Sequence, residues 1–274
     1  MTVGDWLRRD RHREGGAERV LETLVVMEWT LRVPRTRLLT HPEMPIPATR
    51  RQTLQARLDR LAEGEPLAYL LRRWEFFSLS LAISPAVLVP RPETELIVER
   101  ALALISSPCR VLDIGTGSGA IACALARHTP ATLYACDLSL RALRVCRRNV
   151  HALGLGGRVH AVHADLFPAR PRRFDLIVAN PPYLAAGEWT GLADRVRRWE
   201  PREALVSGPS GLETIDRILA GAPGHLMPGG TVLVEIGFGQ EERVRELARR
   251  EGYASVTVHP DLAGIPRVCE ATLA

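Results

Sequence analysis

The chain has 274 residues, 46% of them hydrophobic and 24% charged, with a formal charge of +5 at pH 7. That balance excludes wholesale disorder and suffices for a substantial core, and the lack of any uninterrupted apolar run of about 18 residues excludes a membrane-spanning helix. Residues 1–14 carry acids and arginines where a secretion signal needs an apolar stretch, so a cytoplasmic protein is expected.

Residues 1–73 read as helical, with strand signals largely absent. Leu21, Leu24, Val25, Glu28 and Trp29 fall in one amphipathic run, and Leu54, Leu58 and Leu61 repeat at helical spacing before Gly64 stops the helix. Pro34, Pro42, Pro45 and Pro47 punctuate the stretch between them. Over 74–92 the pattern changes. Phe76, Phe77, Leu79, Leu81 and Ile83, then Val87, Leu88 and Val89, predict a β-hairpin turning near Ser84–Pro85, which serves as the linker. Pro90-Arg91-Pro92-Glu93-Thr94-Glu95 is expected to cap a helix running to about residue 106.

From 93 to 274 strands and helices alternate. Buried apolar runs at 110–114, 132–136, 159–163, 174–179 and 231–236 predict strands, with further strands near 255–258 and 268–273. Helical patterns follow the first two runs and recur over 240–250. The alternation implies an α/β fold, a Rossmann-like, doubly wound parallel sheet.

Open α/β sheets bind ligands at the carboxyl ends of their strands. Here those ends carry Asp113 with Gly115-Thr116-Gly117-Ser118-Gly119, then Asp137, Asp165 and Asn180. The glycine loop lets a ligand approach backbone where a Cβ would collide. It lacks the third glycine of the dinucleotide fingerprint, with Ala122 and Leu125 following instead. Asp137 can accept both ribose hydroxyls, and Asp165 can take hydrogen bonds near an adenine. The plain alternative for each aspartate is an N-cap, although Ser139 is available for that task after Asp137.

Asn180-Pro181-Pro182-Tyr183 narrows the chemistry. The prolines stiffen the turn and remove two donors, leaving carbonyls that only accept. Asn180 adds a side-chain acceptor, and Tyr183 a flat face for a planar amide or base. Such a frame suits methyl transfer from S-adenosylmethionine, with S-adenosylhomocysteine as product, to a planar nitrogen whose lone pair is delocalised. Asn180 Oδ1 and the Pro181 carbonyl would hold both N–H bonds and stabilise charge developing on nitrogen. No metal and no strong base are needed. The five cysteines, Cys109, Cys123, Cys136, Cys146 and Cys269, form no C-x-x-C pair and give no disulfide framework or zinc site.

With these motifs in hand, the sequence resembles the release-factor glutamine methyltransferases, the HemK/PrmC family, over nearly its whole length. The likeness runs through 66–69 and Glu75-Phe76, Val89 to Glu95, Asp113 to Gly119, Asp137-Leu138-Ser139 and Phe174 to Tyr183. It continues in Glu200-Pro201-Arg202-Glu203-Ala204-Leu205, Gly229-Gly230, Glu235-Ile236-Gly237-x-Gly239-Gln240 and Asp261-Leu262-Ala263-Gly264. The resemblance implies a helical release-factor-docking domain over 1–73, a hairpin over 74–92 and a methyltransferase domain over 93–274. It implies the glutamine of the Gly-Gly-Gln tip of release factors as substrate. Gly115 to Gly119, Asp137 and Leu166 would then contact the cofactor. Asn180 would contact cofactor and glutamine, with Pro181, Pro182 and Tyr183 framing the amide. Two positions depart from the family: Arg72 replaces its glycine, and Leu166, beside Phe167, stands where an aromatic residue often stacks on adenine.

Three rivals remain. A relative that methylates a ribosomal-protein glutamine typically reads P-R-S-P-I-x-E where this chain has Pro90 to Glu95, so Pro92-Glu93-Thr94-Glu95 sides with the release-factor enzymes. A nucleic-acid adenine methyltransferase uses the same N-P-P-Y logic on a flipped base, and the net positive charge suits it. All 36 basic residues are arginine, however, which reads as a coding bias, and no nucleic-acid module is recognisable. A non-enzymatic scaffold would not need every acceptor. The expected partner is a release factor, with no membrane, no direct nucleic-acid requirement and nothing requiring more than a monomer.

Overall fold

A computed structural model describes residues 1–11, 16–169 and 172–274 of the chain. They divide into two compact units, Met1–Arg72 and Arg73–Ala274.

The described residues of the first unit form α1 (Val3–Arg11), α2 (Gly16–Leu31), α3 (Arg35–Thr40), α4 (Ala48–Ala62) and α5 (Leu67–Leu71). Pro34, Pro47 and Pro66 each stand at the N-cap of a helix, where a missing N–H does no harm. Gly64, at φ +88°, follows the end of α4 as expected of a left-handed C-terminal stop. Trp6, Leu24, Met27, Leu38, Leu54 and Leu58 share one core. The buried face of α2 is rotated from the expected one: Leu24, Val26 and Met27 are buried, whereas Leu21 and Trp29 lie at the surface. Arg72 closes α5 in the left-handed region at φ +56°. That conformation is the reason a glycine suits the position, and β1 begins at the next residue.

The second unit opens with a hairpin, β1 (Arg73–Phe76) and β2 (Leu79–Ala82). Its turn is Phe77–Ser78, not Ser84–Pro85. Both turn residues take positive φ, +48° and +59°, the geometry whose twist matches paired strands. No glycine or asparagine advertises this turn, so alternation alone carries the expected strand too far. Ser84 to Val87 makes a separate turn, closed by Val87 N donating to Ser84 O at 3.1 Å.

There follow α6 (Glu95–Leu104), β3 (Arg110–Ile114), α7 (Ala120–His128), β4 (Thr132–Asp137), α8 (Leu140–Ala152) and β5 (Val159–His163). Then come β6 (Phe174–Ala179), β7 (Leu184–Ala185), α9 (Asp194–Trp199), β8 (Val206–Gly208) and α10 (Glu213–Gly221). The chain continues through β9 (Leu226–Glu235), α11 (Glu241–Arg250), β10 (Ser255–Pro260) and β11 (Pro266–Thr272).

Seven strands make one sheet in the order β10-β11-β9-β6-β3-β4-β5. Strands β9, β6, β3, β4 and β5 run parallel, but β11 is antiparallel to both neighbours. The expected all-parallel sheet is therefore mixed at one side. The link 261–265 is too short for anything but a hairpin, because a parallel return needs a crossover of about a dozen residues. Leu112, Ile114, Phe174, Ile177, Val232 and Val234 anchor the core beneath the sheet's carboxyl ends. The chain moves outward from β3 through β4 to β5, then returns to lay β6 on the other side of β3. That reversal opens a crevice between β3 and β6. Among the described residues no helix is long and apolar enough to cross a membrane.

Candidate active site

The carboxyl ends of β3, β4, β5 and β6 surround a cavity of about 540 Å³. Gly115, Thr116, Gly117, Ser118, Asp137, Asp165, Leu166, Asn180 and Pro182 line it, as do Thr94 and Arg217. Gly119, Pro181 and Tyr183 do not. Gly119 sits at the N-cap of α7 with φ +80°, where a Cβ would lie 2.9 Å from Cys146 Sγ on α8. Its role is helix packing.

Gly115 and Gly117 both take positive φ, and a Cβ on either would meet no protein atom closer than 3.9 Å. The space beside the loop therefore belongs to the cavity. Hydrogen bonds fix the loop from below: Thr116 Oγ1 donates to Asp113 Oδ2 at 2.5 Å, and Gly117 N to Asp137 Oδ2 at 2.9 Å. Asn149 Nδ2, on α8, donates to Ser118 O at 2.8 Å, and the same side chain exchanges two bonds with Ala82 on β2. Asp113 is fully buried with Oδ1 unpartnered, and burial pushes its carboxyl up to about 7.

Asp137 does not cap α8. Ser139 does, accepting from Ala142 N at 3.2 Å. Asp137 Oδ1 accepts from Ser139 N at 2.8 Å, so each carboxylate oxygen holds one backbone donor and keeps lone-pair capacity toward the cavity. Burial raises its pKa, opposed by those two bonds. Asp165 caps no helix either, for none follows it before β6 among the described residues. Its carboxylate pairs with Arg217 of α10 at 2.8 Å. Leu166, at φ +64°, lines the cavity. Phe167 turns away and stacks on His225, with ring centroids 4.5 Å apart.

On the other side of β3, Asn180 Nδ2 donates to Thr94 Oγ1 at 2.8 Å, and Thr94 Oγ1 donates to Glu235 Oε2 at 2.8 Å. Asn180 Oδ1 takes no hydrogen bond among the described residues. Thr94 was expected within a capping segment, but its backbone is already helical and its side chain caps nothing. Residues 92–94 instead form a short 3₁₀ turn into α6. Tyr183 and Glu235 lie close enough to influence each other, and burial pushes the phenol up to about 12 and the Glu235 carboxyl up to about 7. Gln240 Nε2 donates to Tyr183 O at 2.8 Å, and Gly211 packs on the same carbonyl. Glu200 is buried and receives Arg91 Nη2 at 2.5 Å.

Sequence reasoning missed Asn149, Arg217 and Gly211. Only Asn149 left a signal, as a polar residue on the buried face of α8 with Leu143, Cys146 and Val150.

Comparison with known proteins bears on the family and the fold. A model of the methyltransferase small domain matches residues 93–196, and one of the PrmC N-terminal domain matches residues 9–71. A release factor glutamine methyltransferase of Moorella thermoacetica is 44% identical, covering 97% of this chain and 95% of its own. Another from Bordetella pertussis is 45% identical, covering 90% of this chain and 93% of its own. The T. thermophilus 16S rRNA N2 G1207 methyltransferase, solved with AdoMet and guanosine, shares the fold at TM-score 0.54 and 20% identity, over 74% of this chain and 50% of that one.

Proposed function

This chain belongs to the release factor glutamine methyltransferases, and on that footing we propose that it methylates the side-chain amide nitrogen of the glutamine in the Gly-Gly-Gln tip of peptide-chain release factors. The observation that carries the reading is Asn180: its Nδ2 is held by Thr94, which leaves Oδ1 as an acceptor at the cavity wall.

The cavity fits S-adenosylmethionine. Open space beside Gly115 and Gly117 suits a close backbone approach, and Asp137 retains acceptor capacity for ribose hydroxyls. Leu166, Leu138, Ile114 and Ala142 supply apolar wall for a flat ring. When bound, the cofactor supplies a methyl group on positively charged sulfur. The chain's own residues do the rest. Asn180 Oδ1, at the cavity wall, and the Pro181 carbonyl, outside the lining of that cavity, would accept the two N–H bonds of a substrate amide that reaches in beside the turn, and so orient its nitrogen. As positive charge grows on that nitrogen, both acceptors draw it onto the N–H bonds and stabilise the transition state. Fixing the approach of the two reacting atoms supplies much of the remaining acceleration. The proton lost by the methylated nitrogen passes to solvent.

Relatives of the same activity over nine-tenths of the chain favour this reading over a ribosomal-protein or nucleic-acid acceptor. Release factors act in the cytoplasm, which is where this enzyme would meet them. The test is mass spectrometry of a bacterial release factor incubated with the protein and S-adenosylmethionine. One added methyl on the Gly-Gly-Gln peptide is expected. An unmodified release factor alongside a methylated ribosomal protein or RNA would overturn the substrate assignment.

A further inference from the structure

Glu235 ends β9 at 1% exposure. An ionised carboxylate in such a place is costly unless its oxygens are hydrogen-bonded or paired. No arginine forms an ion pair with it among the described residues. Arg267, a cation that influences it, is itself paired with Asp261. The hydrogen bond that Glu235 receives comes from the Thr94 hydroxyl, at 2.8 Å, and the Tyr183 side chain lies close enough to influence the carboxyl. Both lead to the N-P-P-Y turn: Tyr183 is its last residue, and Thr94 carries Asn180.

A threonine hydroxyl has a single proton. Thr94 spends it on Glu235, so toward Asn180 its oxygen can only accept. The Asn180 amide has two orientations of nearly equal shape. With Nδ2 toward Thr94 the pair makes a hydrogen bond; with Oδ1 toward Thr94 two acceptors face each other with no proton between them, and that hydrogen bond is lost. We infer that Glu235, acting through Thr94, is a positioning residue that fixes the Asn180 amide with Oδ1 free for the substrate. The inference rests on the proposed role of Asn180. It explains why Thr94 is turned away from capping α6, and why an acid lies buried at the end of a strand that contributes no residue to the cavity wall.

The test separates the hydroxyl from the methyl group of Thr94. Thr94→Val keeps the shape and removes the relay; Thr94→Ser keeps the relay and removes the methyl. Thr94→Val is expected to lower kcat by about ten- to a hundredfold, the scale of a misoriented catalytic contact, while KM for the release factor and affinity for S-adenosylhomocysteine stay near wild type. Thr94→Ser should recover most of the kcat. A role in packing alone gives the reverse ranking and overturns the inference. Glu235→Gln, which removes the buried charge, guards against a Thr94→Val that fails to fold. Its amide can donate to Thr94 and free the hydroxyl proton for the wrong end of Asn180, so kcat should fall with KM unchanged. Wild-type kcat in Glu235→Gln also overturns the inference. The side-chain amide NMR signals of Asn180 give a readout without substrate: they should move in Thr94→Val and return in Thr94→Ser. If wild-type enzyme leaves release factor unmethylated, the proposed function fails, and the NMR comparison still decides whether the relay sets the amide.

Discussion

Gly211→Ala is the sharpest probe of how the N-P-P-Y turn is held. Gly211 has φ +82°, and a Cβ there would lie 2.6 Å from Tyr183 O, 2.9 Å from Ala185 N and 3.1 Å from Leu184 C. All three are backbone atoms, so no flexible side-chain end can yield. The left-handed backbone alone costs an alanine about 1–2 kcal/mol, and overpacking against a rigid neighbour adds about 1–3 kcal/mol. A loss of about 2–5 kcal/mol is less than the stability of most domains, so the variant should fold. At roughly 2–4 °C per kcal/mol for a domain of this size, its Tm should drop by about 4–20 °C. Gly252→Ala provides the control: its φ is also +82°, but nothing lies within 4 Å of the added Cβ. Thermal unfolding of both, with kcat for release-factor methylation, makes the comparison. Gly211→Ala should lose more stability than Gly252→Ala, and it alone should lose kcat, because the atom that must move is the Tyr183 carbonyl. Equal losses of stability, with kcat intact, would refute the close packing on which the argument depends.

Three further outcomes are expected. Burial lifts Asp113 to about 7, above its unfolded value near 4, so its contribution to stability is full below about pH 4 and is lost as pH rises toward 7. Tm should therefore fall between pH 5 and 8, and Asp113→Asn should flatten that slope, with Glu235, also raised to about 7, and Asp137, raised by burial, contributing to what remains; an unaltered slope would place the titration elsewhere. Arg72→Gly should relieve the left-handed strain at φ +56° and raise stability by about 0.5–1 kcal/mol after the entropy of glycine is counted, checked by denaturant unfolding; a loss would mean that the arginine side chain outweighs its backbone. Asp137→Ala should weaken S-adenosylhomocysteine binding by about 1.5–3 kcal/mol, about ten- to a hundredfold in Kd, by calorimetry. Unchanged affinity would confine Asp137 to holding Gly117 and Ser139.

The strands that carry the cavity were legible because buried parallel strands are continuous apolar runs, and each here ends at a polar residue or glycine loop. What escaped was set by partners far apart in the chain. Thr94 and Glu235 lie 141 residues apart, and Arg217 and Asp165 lie 52 apart; no local pattern ties either pair. The segment Pro90 to Glu95 reads as a helix cap because proline and acids gather at helix starts, but a tertiary acceptor, Glu235, takes the Thr94 hydroxyl instead. Strand direction is equally silent: β10 and β11 read as strands, but only the shortness of 261–265 betrays that the second runs antiparallel. The choice between Leu166 and Phe167 was decided by Gly221, where a Cβ would lie 2.4 Å from the Phe167 ring. That bare spot on α10 captures the aromatic ring and leaves leucine to the cavity.

The reversal of strand order at β3 and β6 also sorts the protein's tasks by address. On the proposed function, segments after β3, β4 and β5 would hold the methyl donor and the turn after β6 the acceptor. The two sets meet across the cavity, where Arg217 pairs with Asp165 and lines the wall beside it. Exchanging residues 180–240 as a block would part Arg217 from Asp165 and both Asn180 and Glu235 from Thr94, so a methyltransferase built on this sheet for a new target must carry both sets of contacts with it.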